Sequence, residues 1–373
     1  MPQNLQAVAD ELIVRAAIAF RNESRMPMLV NRDYDAQAQE KNDEIKIPIY
    51  APMTIADVVP GTPSAAIELT PDTVSVKLDQ WKESRWLMTD KEMAEVIDSR
   101  VVPEAAERAI NALGDAIDLF CIRGLYRGSF SMATAASPAT EADVIAQRKV
   151  LNILKAPRAN RRLVVSDTIE AELLARDIMA RFDARGDTAG LIEASLGRKY
   201  QFDLYSNGQL PLHTAGNPTG WTVTGAHAAQ VSANGGTSTV VCAGTGAFLA
   251  GDRLTFAGHS QTYVVVSIPA GGLEVAPRLQ AALINTEVIT ITNDGATHQI
   301  GGLAFHRNAF VFALRPLSSQ GHPAVIESVA TDPVTGVTLR LEVVREHKRN
   351  VWQLDVLWGG KILYPEAVSR LKD

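Results

Sequence analysis

Residues 44–49 read EIKIPI and residues 74–78 read VSVKL; they are followed at 101–126 by VVPEAAERAINALGDAIDLFCIRGLY. The long third piece decides the fold. Within it Val102, Ala106, Ala109, Ile110, Leu113, Ala116, Ile117, Phe120 and Cys121 recur at steps of three and four, which puts them on one face of an α-helix. Val102, Ala106, Leu113, Ile117 and Phe120 are the expected core of that stripe. Glu104, Glu107, Arg108, Asn111, Asp115 and Asp118 fall elsewhere and are expected to meet water or a neighbouring chain. A helix from Val101 to Tyr126 is roughly 38 Å long, enough to span a subunit. Pro103 sits in its first turn, where the missing N–H costs nothing, and Gly124 and Gly128 mark its end.

The two shorter pieces alternate. Ile45, Ile47 and Ile49 interleave with Lys46 and Pro48, and Val74, Val76 and Leu78 with Ser75 and Lys77; both are the period-two signal of a half-buried strand. Between them Tyr50 to Asp72 carries Pro52, Pro60, Gly61, Pro63 and Pro71 with few large side chains. Such a stretch is either a loose hairpin tip or an arm that lies on a neighbouring subunit. The strand pattern resumes over Gln80–Met88 with Trp81 and Trp86 as expected anchors, and Thr89-Asp90-Lys91-Glu92 matches a capping box. Glu44, Lys46, Lys77, Asp79, Lys82, Glu83 and Arg85 place both signs of charge along this arm. Mixed charge of this kind sets the register of contacts between copies more than it adds affinity.

The totals set bounds. A chain of 373 residues with 46 % hydrophobic and 21 % charged content can bury a large core. Its net charge of −6 gives no bulk attraction to nucleic acid or anionic membrane. Cys121 and Cys242 lie in unrelated segments, so neither a metal ligand set nor a disulfide framework is expected, and a reducing compartment follows. Asp10, Glu11 and Arg15 interrupt the first twenty residues, so no signal peptide or membrane span is expected.

Working outward, residues 3–20 predict an amphipathic helix with Leu5, Val8, Leu12, Ile13, Ala16 and Phe20 on one side, docked on its own core or another subunit. Helices are predicted over Thr140–Ala156, with Thr140 as N-cap, and Thr168–Ala175, with Asp167 as cap. A strand is predicted over Arg161–Ser166. From about Gly216 the composition turns to Gly, Thr, Ser and Val. Strands are predicted there at Trp221–Val223, Thr239–Cys242, Arg253–Phe256, Thr262–Ser267, Leu273–Val275 and Glu287–Thr292, a spacing that argues for a small inserted β-barrel or sandwich. Leu303–Leu314, Val337–Val344 and Val351–Leu357 are expected to return to the α+β body as three further strands.

Enzyme chemistry has no footing in these residues. No metalloprotease, phosphate-loop or nucleophile-elbow motif occurs. Gly244-Thr245-Gly246 lacks the third glycine of a dinucleotide loop, since Leu249 stands in its place. His259-Ser260 with Asp252 could be assembled into a hydrolytic triad only by a geometry that nothing supports. The seven histidines are too dispersed for a metal site, and neither catalytic residue nor cofactor is expected. Lys155, Arg158, Arg161 and Arg162 form a basic cluster, and Arg345, His347, Lys348 and Arg349 a second. With no interleaved aromatics to stack bases, a solvated loop is the simpler reading; weak phosphate contact is the functional one.

Five segments carry a family likeness in order along the chain: Leu29–Tyr34, Leu210–Gly216, Leu303–His306, Thr331–Gly336 and Val351–Gly359. With terminal helix, two-stranded arm, long helix, α+β body and inserted β-domain, the chain resembles the major capsid protein of tailed double-stranded DNA phages, of the Hong Kong 97-type fold. The likeness is closer to the coat-protein branch of short-tailed Salmonella phages, whose members carry an inserted β-barrel. The resemblance implies an N-terminal arm over 1–35, an extended loop over 36–80 that overlaps an adjacent subunit, and a spine helix and α+β body over 81–216. It implies an inserted β-domain over 217–300 and a return to the body over 301–373. Implied too are hexamers and pentamers of one chain, an internal scaffolding protein, a portal, and non-specific contact with packaged DNA, which Lys155, Arg158, Arg161 and Arg162 could make weakly. The expected location is the virion capsid, assembled in the host cytoplasm. The insertion is shorter than in the better-known relatives, and the residues of the family's autocatalytic cross-link cannot be assigned. A non-viral encapsulating compartment on the same fold is the alternative, and a hydrolase the remote one.

Overall fold

The computed structural model describes residues 9–14, 25–35, 44–50, 55, 57, 58, 60, 61, 71–92, 104–176, 197–230, 236–292, 297–317, 325–331 and 336–373. In chain order its elements begin with α1 (Met26–Leu29), β1 (Glu44–Ile49), β2 (Asp72–Lys77), β3 (Gln80–Thr89) and α2 (Glu104–Gly128). There follow β4 (Ser131–Thr134), α3 (Glu141–Ile153), β5 (Arg161–Val165), α4 (Asp167–Leu174), β6 (Arg198–Lys199), β7 (Phe202–Ser206) and β8 (Leu212–Thr214). Next come β9 (Thr219–Val223), β10 (Ser238–Thr245), β11 (Arg253–Phe256), β12 (Tyr263–Ser267), β13 (Gly272–Ala276) and β14 (Ile289–Ile291). The chain ends with β15 (Thr297–His306), β16 (Phe310–Arg315), β17 (Val325–Thr331), β18 (Thr338–Glu346), β19 (Arg349–Ile362) and β20 (Val368–Lys372). Two compact units result: Met1–Ile45, Ser75–Ile122 and Val311–Lys361 form one, and Lys46–Val74, Arg123–Phe310 and Ile362–Asp373 the other.

The first unit is built on β19. This strand pairs with β18 from Glu346↔Arg349 to Arg340↔Asp355 and with β3 over ten positions, while β17 and β16 complete an antiparallel sheet. One face is apolar: Leu339, Leu341, Val343, Trp352, Leu354 and Val356 are all buried there. The helix α2 supplies the opposing stripe, with Ala106, Ala109, Ile110, Leu113, Ile117 and Cys121 buried as the three-four spacing requires. Phe120 lies edge-on to Trp358 at 6.3 Å between ring centroids and tilted to Phe312 at 6.5 Å. Val102 and Pro103 lie outside the described residues. Asp118 departs from expectation. It is buried and accepts the N–H groups of Arg25 (3.2 Å) and Met26 (3.1 Å), so it caps α1 instead of facing water. Residues 9–14 are helical with Ala9, Leu12 and Ile13 buried.

The strands β1 and β2 form a two-stranded ladder of their own. Their alternation is as read: Ile45, Ile47, Ile49, Val74, Val76 and Leu78 are buried, and Glu44, Lys46 and Lys77 are exposed. Most of the connection between them lies outside the described residues. The Thr89–Glu92 capping box is present, with Thr89 N–H donating to Glu92 Oε2 at 2.8 Å and Glu92 N–H to Thr89 Oγ1 at 3.4 Å. Trp81 is not an anchor. Alternation on β3 turns it outward with Glu83, Arg85 and Leu87, and it is 63 % exposed, whereas Trp86 stacks on Trp352.

The second unit contains a seven-stranded mixed sheet in the order β4-β20-β15-β5-β7-β6, with β8 added against β15. The pairs β5–β7 and β4–β20 are parallel and the others antiparallel. The helix α4 is capped by Ser166, whose Oγ accepts Ile169 N–H; Asp167, expected as the cap, is its first residue. The run Leu303–Leu314 is two strands, not one. At Arg307–Ala309 a 3-10 turn, with His306 Nδ1 accepting Asn308 N–H at 3.2 Å, divides β15 from β16.

Residues 219–291 form a second sheet in this unit, β14-β11-β12-β13-β10-β9. A bridge between Thr222 and Val288, with Val223 N–H donating to Glu287 O at 2.9 Å, brings its two ends together. The closed barrel thus has no long free edge. Its interior holds Val240, Phe248, Leu254, Phe256, Tyr263, Leu273 and Val275.

A Cβ added at Gly359 on β19 would lie 1.9 Å from the carbonyl oxygen of Lys77, a backbone atom that cannot swing aside. Gly359→Ala is therefore expected to destabilise the isolated chain by about 1–3 kcal/mol. Urea unfolding measures this, and an unchanged midpoint would show that the crossing is loose.

Candidate assembly surfaces

The outward face of the β19 sheet in the first unit is built by the phase opposite to its apolar one. Trp81, Glu83, Arg85 and Leu87 on β3 pair across to Leu357, Asp355, Gln353 and Val351, and these to Arg340, Glu342 and Val344 on β18. At its centre Asp355 grips Arg340 with both oxygens, at 2.8 Å to Nε and 2.5 Å to Nη2, and accepts Trp81 Nε1–H at 2.9 Å. Arg340 Nη1 also meets Glu342 at 2.9 Å. The bidentate bond to Asp355 holds the Arg340 guanidinium above its ordinary pKa. Burial pushes the Glu342 carboxyl up in spite of Arg340, and the charges of Asp355, Glu327 and Glu83 push the same way. By register Glu83, Glu327, Glu342 and Asp355 share this face with Arg85 and Arg340, so acidic residues are in excess there.

Of the charged residues read from the sequence as contact candidates, Glu44, Lys46, Lys77, Asp79, Lys82, Glu83 and Arg85 are all exposed. Arg85 is 3.7 Å from Glu346, Lys82 lies 6.0 Å from the Trp358 ring centre, and Asp79 accepts Gln80 Nε2–H at 3.0 Å. Arg340, Glu342 and Asp355 were missed. Their signal was there: in strands whose Leu341, Val343, Leu354 and Val356 face inward, the residues between them must share the other face.

In the second unit the segments flanking the barrel converge on a buried polar cluster. His213 lies just before the barrel on β8, Tyr126 in the last turn of α2, and Asp252 inside the barrel segment ahead of β11. Tyr126 Oη meets His213 Nδ1, and His213 Nε2 is 3.2 Å from Asp252 Oδ1. Burial pushes the Tyr126 phenol up to about 12, so it keeps its proton. Asp252 also accepts the N–H groups of Gly216 (3.1 and 3.0 Å) and Leu249 (2.7 Å). Arg370 on β20 donates to Gly251 O at 2.8 Å, with its guanidinium 5.5 Å from the Tyr126 ring centre. The His213 and His298 rings are 5.1 Å apart. These bonds fix the point where the chain enters the barrel. They also engage Asp252, while His259 bonds Tyr263 Oη at 3.0 Å, so the His259–Ser260–Asp252 triad is not assembled.

The remaining sequence candidates separate. Ala106, Leu113 and Ile117 are buried in the first unit and Phe120 is half-buried. In the second, Lys155 and Arg158 are exposed on the turn after α3, and Arg162 is half-buried. Arg161 is corrected from a DNA-facing candidate to a structural residue. It is buried and donates to Pro157 O (2.7 Å), Ala156 O (2.7 Å) and Asn152 Oδ1 (2.9 Å). Among the described residues no cluster of His, Cys, Asp and Glu could hold a metal, and no helix is long and apolar enough to cross a membrane.

No family model and no curated protein matches the sequence. Among solved structures, one from Mycobacterium phage Che8 is similar with a TM-score of 0.53 and 15% identity, covering 93% of this chain and 90% of that one. The capsid structure of cyanophage P-SCSP1u gives 0.47 and 11%, over 89% and 84% of the two chains. The capsid of a native GTA particle gives 0.46 and 11%, over 96% and 90%. The fold is that of tailed-phage capsid proteins, the Hong Kong 97 type.

Asp252→Asn keeps the shape of the cluster but turns an amide NH2 toward two backbone N–H groups. It is expected to cost about 1–3 kcal/mol. The reading is chemical denaturation of the unassembled chain, and a loss below roughly 0.5 kcal/mol would mean that the cluster does not hold the barrel junction.

Proposed function

We propose that this chain is a major capsid subunit that assembles into a closed icosahedral shell around double-stranded DNA. The observation that carries the proposal is the structural likeness to the chain from Mycobacterium phage Che8, over 93% of this chain and 90% of that one. The exposed arm supports it: β1 and β2 expose Lys46 and Lys77, and among the described residues between them Tyr50, Ile55 and Val58 are exposed. Apolar side chains on an arm gain from burial against another subunit. The acid-rich outward face of the β19 sheet offers complementary charge to those lysines. Each exposed pair adds only about 0–1 kcal/mol, yet a shell repeats the contact around closed symmetry, so many weak contacts hold together. In this reading the subunits form hexamers and pentamers, an internal scaffolding protein and a portal take part, and the product is a virion capsid assembled in the host cytoplasm. The inserted barrel supports a place in the coat-protein branch of the short-tailed Salmonella phages, and no catalytic role is assigned.

Electron microscopy and sedimentation of the chain expressed with its neighbouring genes test the proposal. Closed shells holding nuclease-protected DNA are expected; shells enclosing a protein cargo would make it a compartment, and a monomer under all conditions would end the shell reading. Removing residues 52–71 is expected to leave a folded subunit that forms no shells. Lys46→Glu combined with Lys77→Glu is expected to lower shell yield about tenfold or more at low salt, by two reversed pairs. Unchanged yield would mean that these lysines do not face a neighbour.

A further inference from the structure

The helix α3 in the second unit presents a face that no expectation from the sequence used. Ile145 and Ile153 are 45 % and 67 % exposed there. They flank a shallow, solvent-open groove along one side of this single helix, bordered also by Arg148, Lys149 and Asn152. Eight residues of helix separate the two isoleucines, about 12 Å or two turns. The turn after the helix adds Lys155 and Arg158, both exposed. Among the described residues no carboxylate forms a salt bridge with Arg148, Lys149, Lys155 or Arg158. Beneath them the buried Arg161 meets only neutral oxygens, and burial together with Arg148 and Arg158 holds its pKa down. Positive charge is therefore concentrated here on a chain whose net charge is −6.

We infer that this groove docks an acidic amphipathic helix of a partner protein, with apolar side chains of the partner between Ile145 and Ile153 and its carboxylates on Arg148, Lys149 and Arg158. Charge complementarity selects the acid. The isoleucines select a protein over a polynucleotide, because a phosphate backbone needs the cations and gains nothing from exposed hydrocarbon along the same axis. Two turns of groove match the apolar anchors of a short helix at successive three- and four-residue steps. The site goes beyond the arm contacts between copies, since it does not use the arm.

The test is fluorescence anisotropy on the full unassembled chain, so its outcome is separate from shell formation. Three probes are used: a synthetic helix of about 14 residues with a leucine stripe flanked by glutamates, the same peptide with serine for leucine, and a duplex of about 20 base pairs. The amphipathic peptide is expected to bind at least about tenfold more tightly than the other two. Ile145→Ser with Ile153→Ser, and separately Arg148→Gln with Lys149→Gln, should each weaken it about tenfold or more, the second pair also flattening its salt dependence. Ile145, Lys149 and Ile153 are exposed and Arg148 is partly buried, and circular dichroism checks that the variants fold. No binding of the amphipathic peptide, equal binding of the serine peptide, tighter binding of the duplex, or indifference to either folded double variant would each overturn the inference.

Discussion

Trp352 and Trp358 are fully buried on β19, and the first unit is arranged around that burial. Each indole removes up to about 150–250 Å² of mostly apolar surface from water, on the order of 4–6 kcal/mol by area. Neither indole N–H has a hydrogen-bond partner among the described residues. That omission costs about 1–3 kcal/mol each, so hydrocarbon burial still wins by a few kcal/mol at each side chain. The consequence is geometric. A strand carrying two such side chains on one face must be covered by something large and apolar, and the stripe of α2 meets it through Phe120. Helix length, sheet order and the place of β3 follow from keeping that face dry.

The opposite phase of the same strands is then forced outward, which explains why the charged groups are where they are. Asp355 could not sit on the tryptophan face without an uncompensated charge. On the outer face it binds Arg340 with two bonds and Trp81 with a third. Such a buried pair adds little net stability, because desolvation offsets the Coulomb gain. What it fixes is the register of three strands, since a slip by one residue would exchange the two faces. The cluster Tyr126–His213–Asp252 does similar work in the second unit, where it ties together segments more than a hundred residues apart in sequence.

Periodicity made much of this visible beforehand. The alternation of Ile45, Ile47 and Ile49, the stripe of α2 and the position of Arg253–Phe256 follow from local rules that the tertiary structure obeys. The failures are equally physical. Asp118 looked like a water-facing residue because a helical wheel ranks polarity alone, and the wheel cannot know that two N–H groups of Arg25 and Met26 arrive from elsewhere. Trp81 looked like an anchor because of its size, although its phase with Glu83 and Arg85 pointed outward. The run Leu303–Leu314 concealed a break at Arg307-Asn308, two polar residues whose turn is held by His306. The buried polar cluster had no local signature at all, since its members meet only after the barrel closes.

The edge strand β3 brings these constraints together. Among the described residues it pairs along one side only, with β19, over ten residues. A free edge of that length invites any other strand to add to it. Lys82, Glu83 and Arg85 set alternating charge along it and so disfavour pairing with an arbitrary or self-complementary edge in most registers. The same charges leave a favourable field for a partner whose own charges match in one register. Blocking arbitrary pairing and selecting one register are thus a single requirement on this strand. An edge strand that is both open and charged can accept a matching partner in one register while resisting the others.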